Sequence, residues 1–203
     1  MTVKTQEHRT GGKGMDTPAR YGLISRLLHW GMAYLLLWQF VMVFSWRAFG
    51  DSAVVDWLVR MGPSHGTVGL LTLAFVVVRA VWVFVNRRRR PPRVSGWLGA
   101  VGHAVHVAFY VLMWVIPAIA LLRAYGGGEG WSPWGIALIP KTGVEVSWMV
   151  APANALHSPL SWLLCGLIAA HILAALYHRF ILRDGVLGRM IGSRKTLSSQ
   201  DED

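Results

Sequence analysis

The sequence is short of charge, of cysteine and of acidic residues. Only 15% of its 203 residues are Asp, Glu, Lys or Arg, whereas a soluble domain carries roughly 25%. That shortfall argues against an ordinary soluble domain. The single cysteine, Cys165, excludes an internal disulfide, and it sits in an apolar run as any small apolar residue would. No apolar h-region follows the start closely enough for a signal peptide. No internal repeat is evident. Asp and Glu are missing altogether from the four longest apolar runs.

Those runs dominate what is present. The chain is 54% hydrophobic, contains 11 Trp, and has a mean hydropathy of +0.42. A helix needs about 20 apolar residues to cross a bilayer. Four runs reach that length: Leu27–Trp46, Gly66–Val85, about Gly102–Leu122, and about Pro159–Leu182. Backbone amides in lipid must be paired within their own segment, which an α-helix achieves and which makes internal Gly31, Gly69, Pro117 and Gly166 tolerable. The expectation is an all-α membrane protein built as a four-transmembrane-helix bundle. Residues 1–17 read as a disordered tail, 18–192 as the bundle domain and 193–203 as a polar C-terminal tail. His8 falls in the first tail and reads as a solvated side chain.

Charge sets the orientation. Lys4, Arg9, Lys13, Arg20 and Arg26, the run Arg87–Arg90, Arg93, Arg179, Arg183, Arg189, Arg194 and Lys195 all fall on one side. The other side holds Arg47, Arg60, Arg123 and Lys141, offset by Asp51, Asp56, Glu129 and Glu145. The positive-inside rule then predicts that both termini are cytoplasmic. The net charge of +10 and pI of 10.6 do not indicate nucleic acid, because the basic residues flank the spans and suit anionic lipid headgroups.

Histidines are the unusual feature of such apolar segments. His65 opens the second run and His157 precedes the fourth, so both belong near the outer side. His171 follows His157 by 14 residues, about 21 Å deeper and about 40° short of whole turns, so the two share a face. His29 lies at a similar depth to His171, ~25 Å from Trp46. The pattern is two levels, each with two imidazoles from different helices. One histidine in a span is often just a hydrogen-bonded polar group between helices, but four at two matched depths suit a flat haem held axially between facing helices. No C-x-x-C-H is present, so such a haem is b-type and non-covalent. With both axial positions filled it suits electron transfer. Arg79, 14 residues after His65, reads as a partner for a haem propionate, or else as an arginine snorkelling toward headgroups. The competing reading of the same histidines is a metal or proton transporter, weakened by the absence of carboxylates from the spans.

Longer stretches carry a resemblance. RYGLISRLLHW, HGTVGLLTLAFVVVRAVW, GHAVHVAFYVLMWVIPAIAL and LHSPLSWLLCGLIAAHILAALYHRFILRDGVLGRM together resemble the bacterial cytochrome b561 family over about residues 20–192. The resemblance implies a four-helix di-haem b cytochrome of the bacterial inner membrane. It implies His29 and His171 as ligands of an inner haem, and His65 and His157 as ligands of an outer one. It also implies electron exchange with ubiquinone, extending to a superoxide:ubiquinone oxidoreductase. The alternative within that resemblance is a haem-bearing anchor subunit serving a larger dehydrogenase or hydrogenase through a periplasmic or cytoplasmic redox partner.

His103, His106 and His178 remain. His106 rivals His29 as an inner ligand by depth. His106 and His178 are candidates for bonding a haem propionate or a quinone carbonyl, against a plain role in capping helix ends. The stretch GGGEGWSPWGIALIPKTGVEVSWMVAPAN reads as a long outer loop with interfacial Trp131, Trp134 and Trp148. Arg60, Arg123 and Lys141 could draw a small anion toward an outer haem.

Overall fold

The structure is a computed structural model that describes residues 14–92 and 95–192. Residues 1–13 and 193–203, which hold most of both expected tails, lie outside the described residues.

Four helices are long and apolar enough to cross a membrane. They are α1 (Leu23–Phe49), α3 (His65–Asn86), α4 (Gly96–Gly126) and α5 (Ser147–Tyr177), the last continued by one π-helical turn, His178–Leu182. The described residues also form two short α-helices, α2 (Ala53–Met61) and α6 (Val186–Ile191), and a 3-10 turn over Pro133–Gly135. There is no β-strand among the described residues, only an isolated bridge between Trp131 and Ile139. The chain is therefore an all-α membrane bundle. Much apolar surface stays uncovered, with Leu37 at 63% and Leu173 at 66% exposure. Burial of this kind makes sense only if lipid solvates the outside.

Two elements start where the sequence does not announce them. The helix α2 fills part of the link between the first two spans. More consequentially, α5 begins at Ser147 rather than about Pro159. His157 therefore lies inside the helix and does not precede it. Pro152 and Pro159 both fall within α5. Each gives up one bond to the carbonyl four residues back. Ser161 Oγ donates to the His157 carbonyl at 2.7 Å, a side-chain bond across the turn that contains Pro159.

The helices pack in sequence, α1 on α3, α3 on α4 and α4 on α5. Gly31 lets α1 approach α3 closely, since a Cβ there would come within 2.9 Å of the Phe75 ring. Midway along the bundle sits a buried apolar layer of Met32, Val76, Leu112, Met113, Ile116 and Leu164.

Both described chain ends meet at one end of the bundle, here termed the terminal end. Arg26 donates to the carbonyls of Met190 (3.1 Å) and Ile191 (2.6 Å). The Tyr21 amide donates to the Arg189 carbonyl at 3.3 Å. The Asp16 side chain, with no exposed surface, accepts from the Gly22 amide (2.8 Å) and from Arg90 Nε (3.3 Å). Asp16 is among the last residues of the segment expected to be a disordered tail. The opposite, loop end carries α2 and the connection over 127–146. There Lys141 and Glu129 form an exposed pair at 3.0 Å, so Lys141 offers little net charge to a passing anion.

Candidate functional site

The two histidine levels meet as facing pairs. Toward the loop end, His65 on α3 faces His157 on α5, with ring centroids 6.1 Å apart and planes at 67°. Toward the terminal end, His29 on α1 faces His171 on α5 at 6.4 Å and 58°. The apolar layer lies between them.

Local structure explains each position. His65 is the first residue of α3, whose N-cap Ser64 accepts a hydrogen bond from the Thr67 amide at 3.4 Å; a capping serine fixes where the helix starts. Gln39 of α1 donates to the His65 carbonyl at 3.1 Å, and Trp38 Nε1 donates to the Pro63 carbonyl at 3.0 Å. These bonds moor the start of α3 to α1. His157 and His171 share α5 and, four turns apart, share its inward side.

A cavity of about 500 Å³ opens beside the loop-end pair, lined by His65, His157, Gln39, Arg47, Gly69 and Trp131 among others. That is the size of a typical cofactor or ligand pocket. Two buried polar atoms here have no partner, Gln39 Oε1 and His157 Nδ1. Buried polar atoms are normally satisfied, so these orphans mark a place built for a further group. Arg47 stacks over Trp162 at 5.2 Å, which puts a cation at the cavity wall.

The terminal-end level is more crowded. Arg79 Nη2 donates to His29 Nδ1 at 3.1 Å, and its guanidinium lies 5.8 Å from the Tyr110 ring centre. His106 stands edge-to-face with His171 at 5.3 Å, and Phe109 sits edge-on to both rings. His103 is exposed on α4.

His178 lies apart from both pairs, in the π-helical turn. Its Nδ1 meets Asp184 Oδ2 at 2.5 Å, while Asp184 Oδ1 accepts from the Val186 amide at 3.1 Å. Arg183 adopts a left-handed conformation (φ 51°) to turn the chain back. Slight desolvation pushes the Asp184 pKa up. The hydrogen bonds from His178 and Val186, with the His178 charge, outweigh it and hold the carboxyl below its ordinary value.

The four histidines singled out in the sequence do face one another in two pairs, and Arg79, expected near the inner level, contacts His29. Sequence reasoning missed Gln39, Arg47 and Asp184. Gln39 was the findable one, as an amide inside an apolar run. Asp184 reaches His178 only because of the left-handed turn between them.

The fold and site define a class: a membrane bundle with two stacked pairs of facing imidazoles. The prokaryotic cytochrome b561 family matches residues 20–193, and the chain belongs to that family. It is 30% identical over 185 residues to cytochrome b561 homolog 2 of Escherichia coli, covering 87% of this chain and 94% of that protein. It is 23% identical to the probable superoxide oxidase CybB of Yersinia pestis (87% and 98% covered), and 28% identical to cytochrome b562 of Cereibacter sphaeroides (86% and 96% covered). This is a multi-pass bacterial membrane cytochrome b that transfers electrons, and its family implies a b-type haem.

Proposed function

We propose that the chain carries single electrons through two b haems, His29 with His171 holding one and His65 with His157 the other, and exchanges them with ubiquinone as a superoxide:ubiquinone oxidoreductase. The observation that carries this reading is the spacing of the two pairs. An imidazole nitrogen binds a transition-metal ion at about 2 Å, with the ring centre ~1 Å behind it, so two rings sharing an ion stand ~6 Å apart. The pairs at 6.1 and 6.4 Å fit that distance. His106 and His171, at 5.3 Å, fit it less well, which favours His29 over His106 as the ligand. The cavity and the two orphaned polar atoms beside the loop-end pair also fit a large bound group.

When bound, a bis-histidine b haem takes up and gives back one electron with no iron position open to oxygen. The protein's part is to hold, orient and shield. A guanidinium only donates, so His29 bonded to Arg79 keeps its proton on Nε2. A b haem held through His29 Nε2 would place the ring proton on Nδ1, and Arg79 would then be free to pair with a propionate carboxylate. Met32, Val76 and Leu112 keep water out of the layer between the levels. His178, clamped by Asp184 at the terminal end, is placed to exchange protons with a quinone there. Arg47 gives the loop-end cavity a positive wall, which suits an anionic electron donor such as superoxide. The resemblance to a probable superoxide oxidase supports that donor. The basic residues at the terminal end support a cytoplasmic position for both termini in the inner membrane.

The deciding measurement is a reduced-minus-oxidised visible spectrum of the detergent-purified protein, with haem counted per chain. Two low-spin b haems support the proposal, and none in haem-sufficient cells sinks it. Turnover with superoxide and a quinone, with no other protein added, then separates a stand-alone oxidoreductase from an anchor subunit.

A further inference from the structure

His106 is the imidazole that the two-pair reading leaves without a task. It sits in the membrane-spanning part of α4 and remains exposed, and a polar nitrogen left unpaired at such depth is costly. Its Nδ1 lies 2.6 Å from the Gly102 carbonyl. A carbonyl only accepts, so Nδ1 carries the proton, and the neutral ring is left with an acceptor lone pair on Nε2. Beside it, His171 has a matching need. A ligating histidine almost always donates its second ring N–H to an acceptor. On α5 its neighbours Leu167, Ile168, Ala174 and Ala175 are apolar, and the helix's own carbonyls are committed to the helix.

The two rings are not hydrogen-bonded as they stand, but their spacing suits the bond once the His171 N–H turns to His106. Two imidazoles joined by one N–H···N bond of about 3 Å, with ~1 Å from each nitrogen to its ring centre, stand ~5 Å apart. His106 and His171 stand at 5.3 Å, held in perpendicular planes with Phe109 edge-on to both. Resting on the two-haem reading above, we propose that His106 is the positioning residue of the terminal-end centre: its Nε2 accepts the ring N–H of His171, fixes that ligand's tautomer and makes it more basic. A more basic ligand favours the oxidised iron and lowers the potential of that centre alone. Among the described residues the loop-end pair has no third imidazole beside it, so the device separates the two potentials.

The test uses the haem-loaded full chain in detergent. His106→Phe removes the acceptor and keeps a ring, whereas His106→Gln keeps an acceptor oxygen. Haem per chain and an optical redox titration are read on both, and again in a His65→Ala background to isolate the terminal-end centre. The expected result is two haems in each variant, with the terminal-end midpoint raised in His106→Phe and largely restored in His106→Gln. An effect of about tenfold, the low end for outer partners of a ligating histidine, corresponds to about 59 mV for one electron. An unshifted midpoint overturns the proposal. Loss of one haem from both variants with the loop-end haem retained also overturns it, since His106 would then be a ligand itself. Failure of His29→Ala to lose a haem is a different outcome: it removes the underlying ligand assignment whatever His106 does.

Discussion

The two ends of the bundle hold the same pair of side chains in opposite surroundings. At the loop end, His65 and His157 border a cavity of about 500 Å³ beneath a glycine-rich connection. At the terminal end, His29 and His171 are hemmed in by Arg79, His106 and Phe109. Beyond them the two ends of the described chain are latched by Arg26, Asp16 and Arg90. Identical side chains in unlike settings need not behave alike, because burial, charge and hydrogen bonding tune a haem even where the axial ligand type is the same. An open, basic-walled end is suited to meeting a diffusing reactant. A crowded, latched end is suited to holding a fixed potential.

The largest expected effects break the comparison outright. His29→Ala and His65→Ala each lose one haem per chain, and the double variant has none, read by haem quantification of purified protein. If His65→Ala cost both haems, the two ends would not be independent sites. Next in size is Arg79→Leu. It weakens haem retention at the terminal end by about tenfold and leaves the loop end unchanged, as read by competition with a haem acceptor protein.

Smaller effects sharpen the contrast in rigidity. Asp16→Ala removes a buried carboxylate from two hydrogen bonds and should cost about 1–3 kcal/mol, seen as a lower melting temperature in detergent with unchanged haem content. The smallest effect belongs to Asp184. Its folded-state pKa is depressed, so its contribution to stability is present above the ordinary carboxylate value and is lost as the pH falls through the lower folded value. Asp184→Asn should therefore flatten the acid side of the stability profile below about pH 4, and an unaltered profile would show the His178–Asp184 contact to be inert.

Legibility in the sequence differed by element for physical reasons. The four spans were readable because each is a continuous apolar run with its own backbone bonds. The start of α5 was not, because Pro152 and the polar residues around it resemble a loop, although one missing bond is easily borne in a helix held by its neighbours. The short helix α2 was hidden because a nine-residue helix has little intrinsic stability and forms only where packing supports it. Among the candidate site residues, His157 was expected to precede its helix and lies inside it. Arg47 was counted as an ordinary outer-loop charge, and nothing local to it announces the cavity it lines.

What the sequence determined by itself is the set of spans and the depth of each histidine. Helical rise is fixed at about 1.5 Å per residue, so a spacing of 14 residues becomes a distance without any knowledge of neighbours. What only the tertiary structure decided is which rings face one another. Three imidazoles share the terminal-end depth, yet His29 stands 6.4 Å from His171 and His106 stands 5.3 Å from it. That difference comes from how α1 and α4 are set against the rest of the bundle, and packing between helices is a property of side chains remote in sequence.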